Sequence, residues 1–203
     1  MKRTHRPDLR AWSVFDPARD LDFHSLAWFR PAGTVLIDPL PLSEHDRAQL
    51  EAAGPVTHVI VTNSDHTREA AALAARYGAQ RIGPAAEQGT LGMECDRWVG
   101  TGDEIVEGLM AIALDGSKTP GELALLLEGT TLITGDLVRA HEGGRLNLLP
   151  DAKLTDRAAA IASVKRLLEH RHIDAVLVGD GWPVFRDGYA RLEELVRALE
   201  ARG

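Results

Sequence analysis

His58-Val-Ile-Val-Thr-Asn-Ser-Asp-His-Thr-Arg-Glu-Ala70 contains an abrupt change of pattern. Val59, Ile60 and Val61 form a β-branched apolar run, the signature of a buried strand. Polar residues stop that run, and from Thr67 an Ala-, Leu- and Glu-rich stretch predicts a helix reaching Tyr77, with Gly78 as its stop. Asp65 and His66 fall at the turn between strand and helix. An adjacent carboxylate and imidazole at a strand end read equally as metal ligands or as an acid/base pair.

Three further segments repeat the arrangement of an apolar run closed by an acid. They are Thr34-Val-Leu-Ile-Asp38, Leu132-Ile-Thr-Gly-Asp136 and Val176-Leu-Val-Gly-Asp180. Strand ends present side chains to clefts, so these carboxylates converge if the ends share one edge. Clustered carboxylates repel, and one of them must be protonated or a cation must sit among them. Each acid also has a plainer account. Asp38 precedes Pro39 and reads most simply as a turn opening, while Asp136 and Asp180 beside glycines also suit turns. Asp65 could cap the helix that follows it.

The remaining pattern is that of an α/β protein. Strands are expected at 12–15, 25–29, 97–99, 109–114, 123–127, 130–134 and 175–178, and helices at 43–54, 155–170 and 189–201. Glu128-Gly129 predicts a tight hairpin, and 141–144 a flexible loop. With 203 residues, no linker and no short repeat, the expectation is one domain over 1–203 with helices covering stacked sheets. The chain has 23 Lys plus Arg against 30 Asp plus Glu, a formal charge of −7 with no basic stripe, which argues against nucleic acid as a partner. No apolar stretch approaches the ~20 residues of a membrane span, and the basic start is followed by no apolar signal-like region. Cys95 is the only cysteine, which suits the reducing cytoplasm and excludes an intrachain disulfide. It reads as a small apolar residue rather than a nucleophile. The expected partner is a small molecule. Helical stripes alone do not reveal the oligomeric state.

At the acid-ended segments the chain resembles the metallo-β-lactamase-fold hydrolase superfamily, over residues 25–185. The superfamily motif His-x-His-x-Asp-His falls on Val61-Thr-Asn63-Ser-Asp65-His66, and Gly-His-Thr-Pro-Gly on Ser117-Lys118-Thr-Pro-Gly121. Thr-Gly-Asp matches Thr134-Gly-Asp136, and the last Gly-His-Gly falls on Gly179-Asp180-Gly181. The resemblance implies a four-layer αββα sandwich, two mixed sheets flanked by helices, and metal-dependent hydrolysis. It also implies that the first metal site is lost, because its three histidine places hold Val61, Asn63 and Lys118. The second site's places hold Asp65, His66, Asp136 and Asp180. One divalent ion, Zn, Mn or Fe, is therefore expected there, or none if Lys118 and His66 neutralise the acids unaided. Lys118 is expected to pair with Asp136 and, with Asn63, to stabilise negative charge beside Asp65. The implied function is hydrolysis of an ester, thioester or phosphoester. The alternative is a metal-free, catalytically silent small-molecule-binding or interaction protein. Trp182 and Phe185 either wall a pocket or pack in the core, and Arg139 and His141 could reach a substrate.

Overall fold

The first sheet grows from alternation at its edge and continuous apolar runs at its centre. The computed structural model describes residues 1–201; Arg202 and Gly203, the end of the domain expected over 1–203, lie outside the described residues. The chain divides into two compact units, residues 1–83 with 87–98, and residues 84–86 with 99–203.

Unit 1 runs β1 (Lys2–Arg3), β2 (Leu9–Asp16), β3 (Leu21–Trp28), β4 (Thr34–Ile37), α1 (Glu44–Ala52), β5 (Val56–Ile60), α2 (Ala70–Tyr77), β6 (Gln80–Pro84) and β7 (Arg97–Val99). These strands form one sheet in sequential order. β2 and β3 pair antiparallel, whereas β4, β5 and β6 run parallel. Parallel neighbours need crossovers, and α1 and α2 supply them. Ser43 caps α1 by accepting from the Asp46 amide at 3.1 Å and donating its hydroxyl to the Asp46 carboxylate at 2.8 Å. Gly78, at φ +64°, ends α2 in the left-handed conformation. Leu36, Val59, Val61, Leu50 and Leu73 share the unit's apolar core.

The expected helix from Thr67 begins later, at Ala70. A 3₁₀ turn, Ser64–His66, comes first, capped by the Asn63 side chain, and Arg68 stands at φ +36°. A non-glycine residue in that conformation cannot continue a right-handed helix, so the chain restarts beyond it.

Unit 2 holds β8 (Glu104–Val106), β9 (Leu109–Leu114), β10 (Glu122–Leu127), β11 (Thr131–Thr134), β12 (Val138–Glu142), β13 (Arg145–Leu148), α3 (Arg157–Leu167), β14 (Ala175–Val178) and α4 (Gly188–Glu200). Its larger sheet has the order β14-β11-β10-β9-β8, and β12 with β13 forms a separate hairpin. β10 is buried throughout and pairs antiparallel on both sides. Glu128 and Gly129, at φ +47° and +68°, turn the chain from β10 into β11 as expected. α3 makes the crossover between β11 and β14, which pair in parallel. Leu192, Leu195, Val196 and Leu199 of α4 are buried in one apolar cluster with Val164 and Leu167 of α3 and with Leu132 and Val176 of the sheet. The flexible loop expected at 141–144 is shorter than the sequence suggests. His141 and Glu142 complete β12, and only Gly143 and Gly144 form its turn. The Asn147 side chain secures this by accepting from the His141 amide at 2.9 Å.

The result is a mixed α/β fold with two large mixed sheets and four helices, the class expected from the sequence. Among the described residues no helix is long and apolar enough to cross a membrane. Gly116 marks a close backbone approach. It stands at φ +82°, and a Cβ there would collide with the Asp156 carbonyl and the Ala160 amide at the start of α3. Gly116→Ala is expected to destabilise the protein by about 1–3 kcal/mol. Urea unfolding would show this as a lower midpoint at unchanged slope.

Candidate functional site

Strand register brings two of the expected acids together in unit 2. Thr134 of β11 pairs with Val178 of its parallel neighbour β14. Asp136 and Asp180 each lie two residues beyond that pair, so they leave the sheet at the same edge. β9 and β10 meet at the same edge, where Glu122 pairs with Leu114, and the loop joining them carries Lys118.

Their charges form a chain of contacts. Lys118 Nζ lies 3.2 Å from Asp136 Oδ1, and Arg139 Nη2 lies 3.9 Å from the same oxygen. Arg139 also forks onto Asp180, with Nε donating to Oδ1 at 3.1 Å and Nη2 donating to Oδ2. His141 Nε2 stands 3.2 Å from Asp180 Oδ2. Asp136, Arg139 and Asp180 are buried, while the Lys118 side chain is 26% exposed and that of His141 34%. Arg139 and His141 sit on β12, whose Ala140 forms a bridge with Gly181 directly after Asp180. Trp182 and Phe185 are exposed and do not belong to the core.

Unit 1 holds the other expected residues, and Asp38 proves to be more than a turn acid. It stands at φ +47° before Pro39 and is buried. Its Oδ1 accepts from the Thr62 amide at 2.7 Å, and its Oδ2 accepts from the Thr62 hydroxyl at 2.6 Å. The same Oδ2 meets His66 Nδ1 at 2.8 Å. A carboxylate accepting there favours a proton on Nδ1 and orients the ring. Asn63 is fully buried, and its Oδ1 accepts from the Asp65 amide at 3.0 Å. Its side-chain oxygen therefore caps the 3₁₀ turn that presents Asp65 and His66. Asp65 itself is exposed. Val61 lies in the apolar core.

The two acids of unit 2 are engaged by cations of the chain itself, and so arranged they do not suit a divalent ion. In unit 2 both Asp180 oxygens face the Arg139 guanidinium, and Asp136 Oδ1 faces the Lys118 ammonium. An ion binding these oxygens would have to displace the Lys118 and Arg139 side chains. Among the described residues no group of three or more His, Cys, Asp or Glu side chains is gathered closely enough to hold a metal. The expected Lys118–Asp136 pair is present. No motif singled out Arg139 as the partner of Asp180, or Glu122, whose carboxylate accepts from the Asp136 amide at 2.9 Å. A lone acid opening the otherwise apolar strand Glu122-Leu-Ala-Leu-Leu-Leu127 was the available signal.

Cys95 has no catalytic setting. Burial pushes its thiol up to about 11, against a smaller opposing effect of the Arg81 charge.

Comparison with known proteins places these features in context. A family model described as Metallo-beta-lactamase superfamily matches residues 1–199. No curated protein sequence matches significantly. Among solved structures, the DIM-1 metallo-beta-lactamase superposes with a TM-score of 0.77 at 12% identity, covering 100% of this chain and 97% of that one. A metallo-beta-lactamase from Pontibacter korlensis gives 0.75 at 17% identity, covering 96% of both chains. The mono-zinc form of FIM-1 from Pseudomonas aeruginosa gives 0.69 at 12% identity, covering 94% of this chain and 90% of that one. At such identities these structures establish the fold.

Two outcomes test the site as described. Arg139→Ala strands a buried carboxylate and is expected to cost about 3–5 kcal/mol in denaturant unfolding, whereas an apolar pair, Arg139→Met with Asp180→Leu, should recover most of that loss. For Cys95, a raised thiol pKa means that the reactive thiolate accumulates only as pH approaches about 11. Alkylation by iodoacetamide near neutral pH should therefore run about a hundredfold slower than that of free cysteine and climb steadily with pH.

Proposed function

We propose that this chain, which belongs to the metallo-β-lactamase superfamily over residues 1–199, acts on a small molecule through a metal-independent centre at the strand ends of unit 2. Superfamily membership supplies the hydrolase-type fold. One observation carries the rest: the acids at the positions of expected ligands are already balanced by the chain's own Lys118 and Arg139.

Lys118 is the working cation in this reading. Its ammonium is held by Asp136 yet remains partly exposed, so it can meet an oxygen from solvent. It would stabilise the negative charge that develops on an ester, thioester or phosphoester oxygen when water attacks, the part a positioned cation plays in oxyanion stabilisation. Arg139 would hold Asp180 and keep that carboxylate from competing for the Lys118 charge. Trp182 and Phe185 follow Asp180 and are exposed, so they suit contact with an apolar part of the substrate. The acidic composition supports a small-molecule partner over nucleic acid, and the single cysteine supports a cytoplasmic setting.

The superfamily itself supports a second reading, a single-ion hydrolase with Asp65, His66, Asp136 and Asp180 as ligands and Asn63 orienting substrate or water. That assignment requires Lys118 and Arg139 to leave their carboxylates. A third reading, a catalytically silent binding protein on the same fold, rests on the same neutralised acids.

A single set of measurements separates the three. The protein is purified without chelator, its metal content is measured, and nitrophenyl esters, thioesters and phosphoesters are screened with and without EDTA. The expected result is metal well below one equivalent, turnover insensitive to EDTA, and a loss of about 10²–10³ in kcat for Lys118→Met. Activity that EDTA abolishes and added metal restores would establish the single-ion enzyme. Ligand binding without any turnover would establish the silent binder.

A further inference from the structure

We infer that Glu122 is the positioning residue that sets Lys118 against Asp136, an inference that rests on Lys118 being the working cation. Glu122 opens β10, a strand buried along its whole length, and is itself 1% exposed. A carboxylate in such a place is tolerated only when donors converge on it. Three do. The Ser117 hydroxyl donates to Oε2 at 2.6 Å, and the Asp136 and Leu137 amides donate to Oε1 at 2.9 and 2.8 Å.

These donors come from the two segments that carry the ion pair. Ser117 immediately precedes Lys118, and the Asp136 amide belongs to the carboxylate's own residue. One buried side chain therefore ties the loop before β10 to the turn after β11 through hydrogen bonds to a charged acceptor, the strong kind. Other bonds hold the loop from its far side. The Thr155 hydroxyl and amide donate to the Ser117 carbonyl at 2.6 and 3.2 Å, and the Thr119 hydroxyl donates to the Gly121 carbonyl at 2.7 Å. Lys118 thus projects from a loop held at Ser117 and Gly121, with its ammonium 3.2 Å from Asp136. Glu122 is placed to act through Ser117 and through the Asp136 and Leu137 amides.

Competitive amine acylation, read by peptide mass spectrometry on the folded full-length protein, tests this. Lys153 and Lys165 serve as internal references. In Ser117→Ala the loop loses its clip to Glu122 while the two backbone bonds to Glu122 remain. Lys118 labelling should then rise about fivefold relative to the references, the factor that one hydrogen bond of ordinary worth holds closed. Glu122→Gln keeps the shape, accepts from both amides and can donate its own N–H to Ser117 Oγ. Its Lys118 labelling should stay close to wild type. An unchanged Lys118 ratio in Ser117→Ala would reduce Glu122 to a structural staple and overturn the inference. So would a rise in Glu122→Gln as large as that in Ser117→Ala. Neither metal nor turnover enters the readout. A failed activity screen therefore leaves this result intact, and a failed labelling test leaves EDTA-insensitive turnover standing.

Discussion

Arg139 and Asp180 meet out of water, and their fork decides what kind of chemistry unit 2 can support. The register of β11 against β14 forces Asp136 and Asp180 onto one sheet edge, where two bare carboxylates would repel strongly at low dielectric. β12 brings Arg139 between them, with both nitrogens of one face on Asp180 and a longer approach to Asp136. Lys118 completes the balance on Asp136. Asp136 and Asp180 thus each face a cationic side chain of the same chain before any ligand arrives. Breaking either pair strands a buried charge, so the arrangement is self-locking.

Unit 1 treats its own strand-end acid by the same rule with different partners. Asp38 is satisfied by the Thr62 amide and hydroxyl and by the His66 ring. It thereby orients the imidazole through Nδ1. Asn63 holds the short turn on which Asp65 and His66 sit, and Val61 has joined the apolar core. The stretch from His58 to Ala70 therefore contains a short 3₁₀ turn held by the Asn63 cap and, through His66, by Asp38. Where the resemblance places the three histidines of the first metal site, this chain has a core residue, a cap and an ammonium.

Much of this was legible in the sequence, and the failures have physical causes. Helix ends written in capping residues, Ser43 for α1 and Gly78 for α2, appear where expected, because a cap is a local hydrogen bond or a local φ requirement. The start of α2 was misplaced because Ala-rich composition reports propensity and says nothing of Arg68 at positive φ. The pairing of Lys118 with Asp136 followed from charge and family position. The pairing of Arg139 with Asp180 did not, since 41 residues separate them and a long-range bridge between Ala140 and Gly181 brings them together. Asp38 looked like a turn opening before proline, and the chain bends there at φ +47°. Its second role depends on Thr62 and His66, which no local pattern links to it. Glu122 was hidden for the same reason.

The central claim is that internal cations already occupy the acids a divalent ion would need. The most direct measurement is a crystal grown with excess zinc, with anomalous diffraction recorded at the zinc edge. The account predicts no anomalous peak at bonding distance from Asp136 or Asp180, with Arg139 still forked onto Asp180 and Lys118 on Asp136. A full-occupancy zinc peak on those carboxylates, with Arg139 and Lys118 swung away, would contradict it.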